Sequence, residues 1–282
     1  MDIDIDALKS LRKKTGAGML DCRKALVEAG GEGQAAEALL KDWGLAGVEK
    51  RLDRSMAEGR VFVHASSSRA AMVEISCETD FVARSEAFVV SGERIAVLAF
   101  ERRLDVPDAE IDGQVAELAR LFKENIALRR LAYREGGAAE RMSSYVHGEG
   151  RIGVLLLTAA DSPAGFDDER VASFIHDLAL HIAAFNPLFL SAEKAPEAYL
   201  REKEEAFRQQ VGEDEKMLGK SERIREGAVA GKMRKHLAEV CLLDRGFIKD
   251  EAVPVAEAMS KLARETGFNL SVRGFDYFKI GE

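Results

Sequence analysis

Gly148-Glu149-Gly150-Arg151-Ile152-Gly153 carries the GxGxxG spacing of a dinucleotide-binding loop, so chemistry is sought there first. Such a loop needs a strand before it and a helix after it, so that a pyrophosphate meets a helix N-terminus. Here the apolar run Val154-Leu155-Leu156-Leu157 follows, and a hairpin turn is expected instead. Gly219-Lys220-Ser221 resembles the end of a phosphate loop, but Asp214 stands where the earlier glycine belongs and no buried strand precedes it. Of the histidines His64, His147, His176, His181 and His236, only His176 and His181 are close in sequence. They are five apart rather than four, so one helical face would not present both to a metal. No HExxH, GxSxG or Cys/His nucleophile pattern occurs, and the carboxylates are scattered. Neither a catalytic group nor a metal or cofactor is expected. The alternative is a small-molecule enzyme built on His147 and the Gly148–Gly153 loop. It would need a cofactor site and convergent titratable groups, and neither is legible.

Glu78-Thr79-Asp80-Phe81-Val82-Ala83 is of another kind. It falls where a strand pattern hands over to a helical one. On pattern alone, Thr79 or Asp80 caps the helix and Phe81 plugs it locally. A second reading is that a rigid turn presents an acid and an aromatic outward together, the usual make-up of an interaction hot spot.

The elements that position these residues follow from periodicity. Ile5, Leu8 and Leu11, then Met19, Cys22, Leu26 and Ala29, then Ala36, Leu39, Leu40 and Trp43 mark three short amphipathic helices. Gly16, Gly30-Gly31 and Gly44 punctuate them. Residues 1–45 are therefore a small three-helix module suited to docking, and 46–59 a charged linker. From Val61 the period changes to two, and Val61–Ala65 with Val73–Cys77 predicts a β-hairpin turning at Ser66–Arg69. A helix around Phe88–Ala99, another from Val115 to Ile126 and a strand from Leu128 to Tyr133 complete a unit over 60–138. The pattern then repeats from 139 to 282. Tyr145–Leu157 reads as a second hairpin, and Val171–Phe185 as a helix that ends before Pro187. Residues 195–238 interrupt this second unit as an antiparallel helical hairpin with a bend at Gly212–Gly219. A helix over Val255–Thr266 and an edge-to-centre strand through Phe268–Ile280 close it. The fold class is α+β: two related subdomains with antiparallel sheets, and a projecting helical hairpin.

Composition narrows the function classes. The chain has 282 residues, 46% of them hydrophobic, enough for two or three modest cores. Its net charge of -8 disfavours nucleic acid as a partner, because phosphate contacts need a basic surface. Cys22, Cys77 and Cys241 are far apart and fit reduced, buried thiols. Met1-Asp2-Ile3-Asp4-Ile5-Asp6 has neither the basic start and apolar run of a signal peptide nor the arginines of a transit peptide. No apolar stretch reaches membrane-spanning length, so no membrane partner and a cytoplasmic location are expected.

Five ordered blocks stand out: Leu11-Arg12 with Thr15–Leu26; Cys77–Ala83; Glu124-Asn125-Ile126 with Arg129-Arg130; Tyr145, His147, Gly148 and Arg151–Val154; and His181–Ala184 followed by Pro187. Together they resemble the translation elongation factor Ts family. The resemblance implies a ubiquitin-associated-like N-terminal module. It implies guanine-nucleotide exchange on elongation factor Tu, bound as the GDP form and as the nucleotide-free form, without bond-making chemistry. Thr79, Asp80, Phe81 and Val82 would disturb the partner's Mg²⁺ and phosphate site, promoting GDP release and GTP rebinding. Arg12, Met19 and Leu20 would grip the partner's nucleotide domain, and His147 a different domain. Some family members continue into a further helical module, whereas this sequence stops at Gly281-Glu282.

Overall fold

A computed structural model describes residues 5–15, 17, 19–43, 55–217 and 219–282. The N-terminal module is α1 (Ile5–Thr15), α2 (Met19–Glu28) and α3 (Gly33–Asp42). Leu11, Cys22, Ala25, Leu26, Ala36 and Leu40 form its core. Met19 leaves the expected stripe: it begins α2 and lies 44% exposed. Gly16, Gly44 and positions 46–54 of the expected linker lie outside the described residues.

Two three-stranded antiparallel sheets follow. The first joins β1 (Glu58–Ala65), β2 (Arg69–Cys77) and β3 (Ala127–Glu135) in the order β1-β2-β3. The second joins β4 (Glu140–His147), β5 (Ile152–Ala160) and β8 (Leu270–Lys279) in the order β4-β5-β8. The last strand is therefore an edge, and β5 holds the centre. Alternation explains the layering. In β2, Ala71, Val73, Ile75 and Cys77 face a helical layer of α4 (Asp80–Arg84), α5 (Glu86–Arg102) and α6 (Ala109–Phe122). Ala70 and Met72, on the opposite face, meet Leu155, Met142 and Phe278 of the second sheet. In β5, Val154 and Leu156 face α7 (Glu169–Phe185). Both central strands are thus buried on both faces, which is why their sequences read as nearly continuous apolar runs. Glu74 is buried between the sheets beside Arg130, which also donates to the Lys279 carbonyl at 2.9 Å and lies over Phe278.

The glycines at 148–153 serve this stacking. Gly148, Glu149 and Gly150 all take positive φ in the β4–β5 turn. The Gly150 carbonyl accepts the Val61 N–H at 2.8 Å. A Cβ on Gly153 would stand 2.4 Å from Val61 Cγ1 and 2.8 Å from Met72 Sδ. The GxGxxG spacing is therefore a tight turn followed by a close approach of two sheets, and a strand rather than a helix comes after it.

The inserted hairpin is α8 (Glu197–Glu213) and α9 (Glu222–Val240), in which only Val211 and Val229 are buried. Tyr199 Oη and His236 Nε2 meet at 2.8 Å near its base. Gly212 lies inside α8, so the bend begins two residues later than expected. A short antiparallel pair, β6 (Gly246–Phe247) and β7 (Asp250–Pro254), precedes α10 (Val255–Thr266) and has no counterpart in the expected elements. Ile126 also departs from expectation: Lys123 takes φ 56° and ends α6 before it, so Ile126 enters the core from a loop.

Candidate functional site

The segment between β2 and α5 folds as a capped, anchored turn. Thr79 adopts extended φ/ψ and its Oγ1 accepts the Val82 N–H at 3.4 Å, capping α4. Its hydroxyl donates to Glu124 Oε1 at 2.7 Å. The Glu78 and Thr79 N–H groups both donate to Glu124 Oε2 at 3.2 Å. At the other end, Arg60 Nε donates to the Ala83 carbonyl at 2.6 Å. Ser85 begins α5 at once, accepting the Phe88 N–H and donating to the Val82 carbonyl at 2.8 Å. Beneath the turn lies Cys77, whose thiol donates to the Thr79 carbonyl at 3.2 Å. Burial, then the Glu124 charge, push that thiol up to about 12.

The four expected tip residues divide in two. Val82 is 8% exposed and Ala83 is buried, so these two, not Phe81, are the local plug. Val82 serves the tip as its anchor. Phe81 points the other way and is 83% exposed. Asp80 is half-exposed, with Arg84 Nη2 at 3.8 Å. An aromatic ring and a carboxylate are thus held outward on a turn fixed at both ends.

The β4–β5 turn comes close to this tip. Arg60 Nη2 reaches Glu149 at 3.6 Å, and Asp80, Arg84, Glu149 and Arg151 line one small cleft of about 60 Å³. That volume is far below what a nucleotide needs. His147 ends β4, exposed, with its Nδ1 3.1 Å from the Tyr145 hydroxyl. In the N-terminal module Leu20 is 78% exposed beside Met19 at the start of α2. A larger cavity, about 500 Å³, opens between α8 and α9 and shares no lining residue with the tip cleft. Among the described residues no cluster of three His, Cys, Asp or Glu side chains could hold a metal, and no helix is long and apolar enough to cross a membrane.

Sequence reasoning missed Arg60 and the bonds made by Glu124. An arginine just before the alternating run from Val61 and an acid near the end of the helical pattern read through Ile126 were the available signals. Neither says which backbone it will meet, because both partners are distant in sequence.

What results is a mixed α/β scaffold whose distinctive feature is a surface it presents: an anchored acid–aromatic tip beside an exposed histidine turn. The family model described as Elongation factor TS matches residues 78–282. A curated Elongation factor Ts of Treponema denticola is 40% identical over 281 residues, covering 100% of this chain and 99% of the relative. Those of Borrelia garinii subsp. bavariensis, 38% identical with 97% of each chain covered, and of Borrelia recurrentis, 36% identical over the whole of both chains, are similar in the same way. The chain belongs to the elongation factor Ts family, and so to the factors of translation elongation.

Proposed function

We propose that this chain is the guanine-nucleotide exchange factor for elongation factor Tu. It binds the GDP form, presses Asp80 and Phe81 against the Mg²⁺ and phosphate site, releases GDP and leaves a nucleotide-free partner open to GTP. No bond is made or broken on this chain, and the reading calls for no cofactor, nucleic acid or membrane. It acts in the cytoplasm. The observation that carries this reading is Phe81: a large aromatic, 83% exposed, on a turn that is capped by Thr79 and anchored by Val82. A large aromatic held outward beside a carboxylate on an anchored turn has the make-up of an interface hot spot.

Exchange is then a coupling problem. A factor that weakens GDP binding by some ratio is itself weakened by GDP in the same ratio. Seating Phe81 in a partner groove contributes about 1.5–3 kcal/mol, or one to two tenfold steps at about 1.4 kcal/mol each. Asp80 adds a negative charge beside phosphate and metal, disfavouring the nucleotide-bound state. Larger effects need more contacts. The 1–45 module, through Arg12, Met19 and Leu20, grips the nucleotide domain, and His147 meets another domain. The two core units, 60–138 and 139–282 with 195–238 inserted, carry the Asp80–Phe81 tip and His147.

Release of fluorescent GDP from elongation factor Tu tests the reading. Phe81→Ala is expected to slow stimulated release at least about tenfold, the lower limit set by burial of one aromatic ring. Its thermal unfolding stays that of the parent, because the ring contributes little to the free protein's core. An unchanged release rate would remove Phe81 from the site.

A further inference from the structure

We propose that Glu124 is the positioning residue of the tip: its carboxylate fixes Thr79, and through Thr79 the short helix that carries Asp80 and Phe81. This rests on the exchange reading above and adds a residue to it. Helix α4 has five residues, too few to stand alone in water. Beyond the bonds within its single turn, two backbone bonds flank it: the Ala83 N–H reaches the Thr79 carbonyl at 3.2 Å, and the Ser85 N–H the Val82 carbonyl at 3.0 Å. The orientation of Phe81 must come from outside the helix.

Glu124 supplies it at the N-terminal end. The left-handed turn at Lys123 ends α6 and swings the chain beneath the tip. One carboxylate oxygen then takes the Glu78 and Thr79 N–H groups, and the other takes the Thr79 hydroxyl proton. A hydroxyl that donates to a carboxylate has its proton direction settled and its lone pairs freed, so it accepts better from the Val82 N–H. The arrangement is reciprocal, since Glu78 Oε1 accepts the Asn125 N–H at 2.9 Å. Residues 78–79 and 124–125 are thus cross-tied by two carboxylates. Arg60 holds the other end of α4 through the Ala83 carbonyl. The hydrogen bonds of Glu124 go to Glu78 and Thr79 rather than to Asp80 or Phe81, so its part is to set the tip's direction.

The test compares Glu124→Ala and Glu124→Gln with the parent chain and Phe81→Ala in fluorescent-GDP release from elongation factor Tu. Each is titrated to saturation. Glu124→Ala is expected to lower the maximal rate about tenfold, the equivalent of one charge-assisted hydrogen bond lost from the tip, with a half-saturating concentration changed by less than about threefold. Glu124→Gln, whose amide oxygen can still accept both N–H groups, falls between. Iodoacetamide labelling of each thiol in the free protein supplies an independent readout. Cys77, buried against the Thr79 carbonyl, is expected to label faster in Glu124→Ala, while Cys22 and Cys241 stay protected. A maximal rate equal to the parent's in both variants overturns the proposal. So does a loss that more protein makes good, or one in which all three thiols open together, because either marks a general loss of folding. If the parent chain itself fails to release GDP, the exchange reading falls. If Phe81→Ala slows release and both Glu124 variants do not, the exchange reading stands and the positioning role is lost.

Discussion

Acid is expected to weaken this protein through one buried side chain, His181. It lies on α7 with no exposed surface. Its Nδ1 accepts the Ile248 N–H at 3.2 Å, while Nε2 has no partner among the described residues, so the ring is held neutral. Phe185 and Phe247 pack against it. Burial, with a smaller contribution from the Arg245 charge, lowers its pKa from 6.5 to about 4. The unfolded chain therefore binds a proton at this residue between those two values and the folded chain does not. Stability from His181 is complete above about pH 6.5 and falls as pH drops towards 4, below which both states are protonated. At about 1.4 kcal/mol per pH unit, about 2 kcal/mol is lost between pH 7 and pH 5, and about 3 kcal/mol by pH 4. Urea unfolding at pH 7 and pH 5 measures it, with His181→Asn as the control. Asn keeps an acceptor near the Nδ1 position and does not titrate. The variant starts lower, having lost two ring contacts, but its stability is expected to change with pH by about 2 kcal/mol less than the parent's over that range. Parallel pH profiles for parent and variant would refute the reasoning.

The stacking of the two sheets predicts that Gly153→Ala costs about 1–3 kcal/mol, as overpacking of a close-packed interior does. The new Cβ would meet stiff, β-branched Val61 at 2.4 Å, so β5 must shift; an unchanged melting temperature would contradict this. Replacing 201–234 by a short glycine linker is expected to leave one cooperative thermal transition, because α8 and α9 bury so little of their own surface. Loss of cooperativity in calorimetry would show that the hairpin supports the core.

Much of the fold was legible because the chain's strongest signals are local. The period-two runs around Val61 and Val73, the stripe Val171–Phe185 and the stop before Pro187 each appear where alternation, helical spacing and proline placed them. The failures share a cause. Met19 fits its helix's period, yet the first turn of α2 extends past the module's small core. The strand order of the second sheet depends on which edge of β5 remains free once β4 is paired, and no local pattern encodes that. β6 and β7 are too short to show alternation at all.

The tip was the least legible part, for a reason of length. Five helical residues make barely more than one turn, so Phe81 and Val82 carry no period to say which faces inward. Both are apolar neighbours and either could have been the plug. The choice is made by groups remote in sequence. Glu124 pins the start of the turn and Arg60 its end. With both ends fixed, one rotation of α4 remains, and it puts Val82 into the core behind Cys77 and leaves Phe81 in water. A hot spot built this way can be read from sequence only if the residues that clamp it are read together with those it displays.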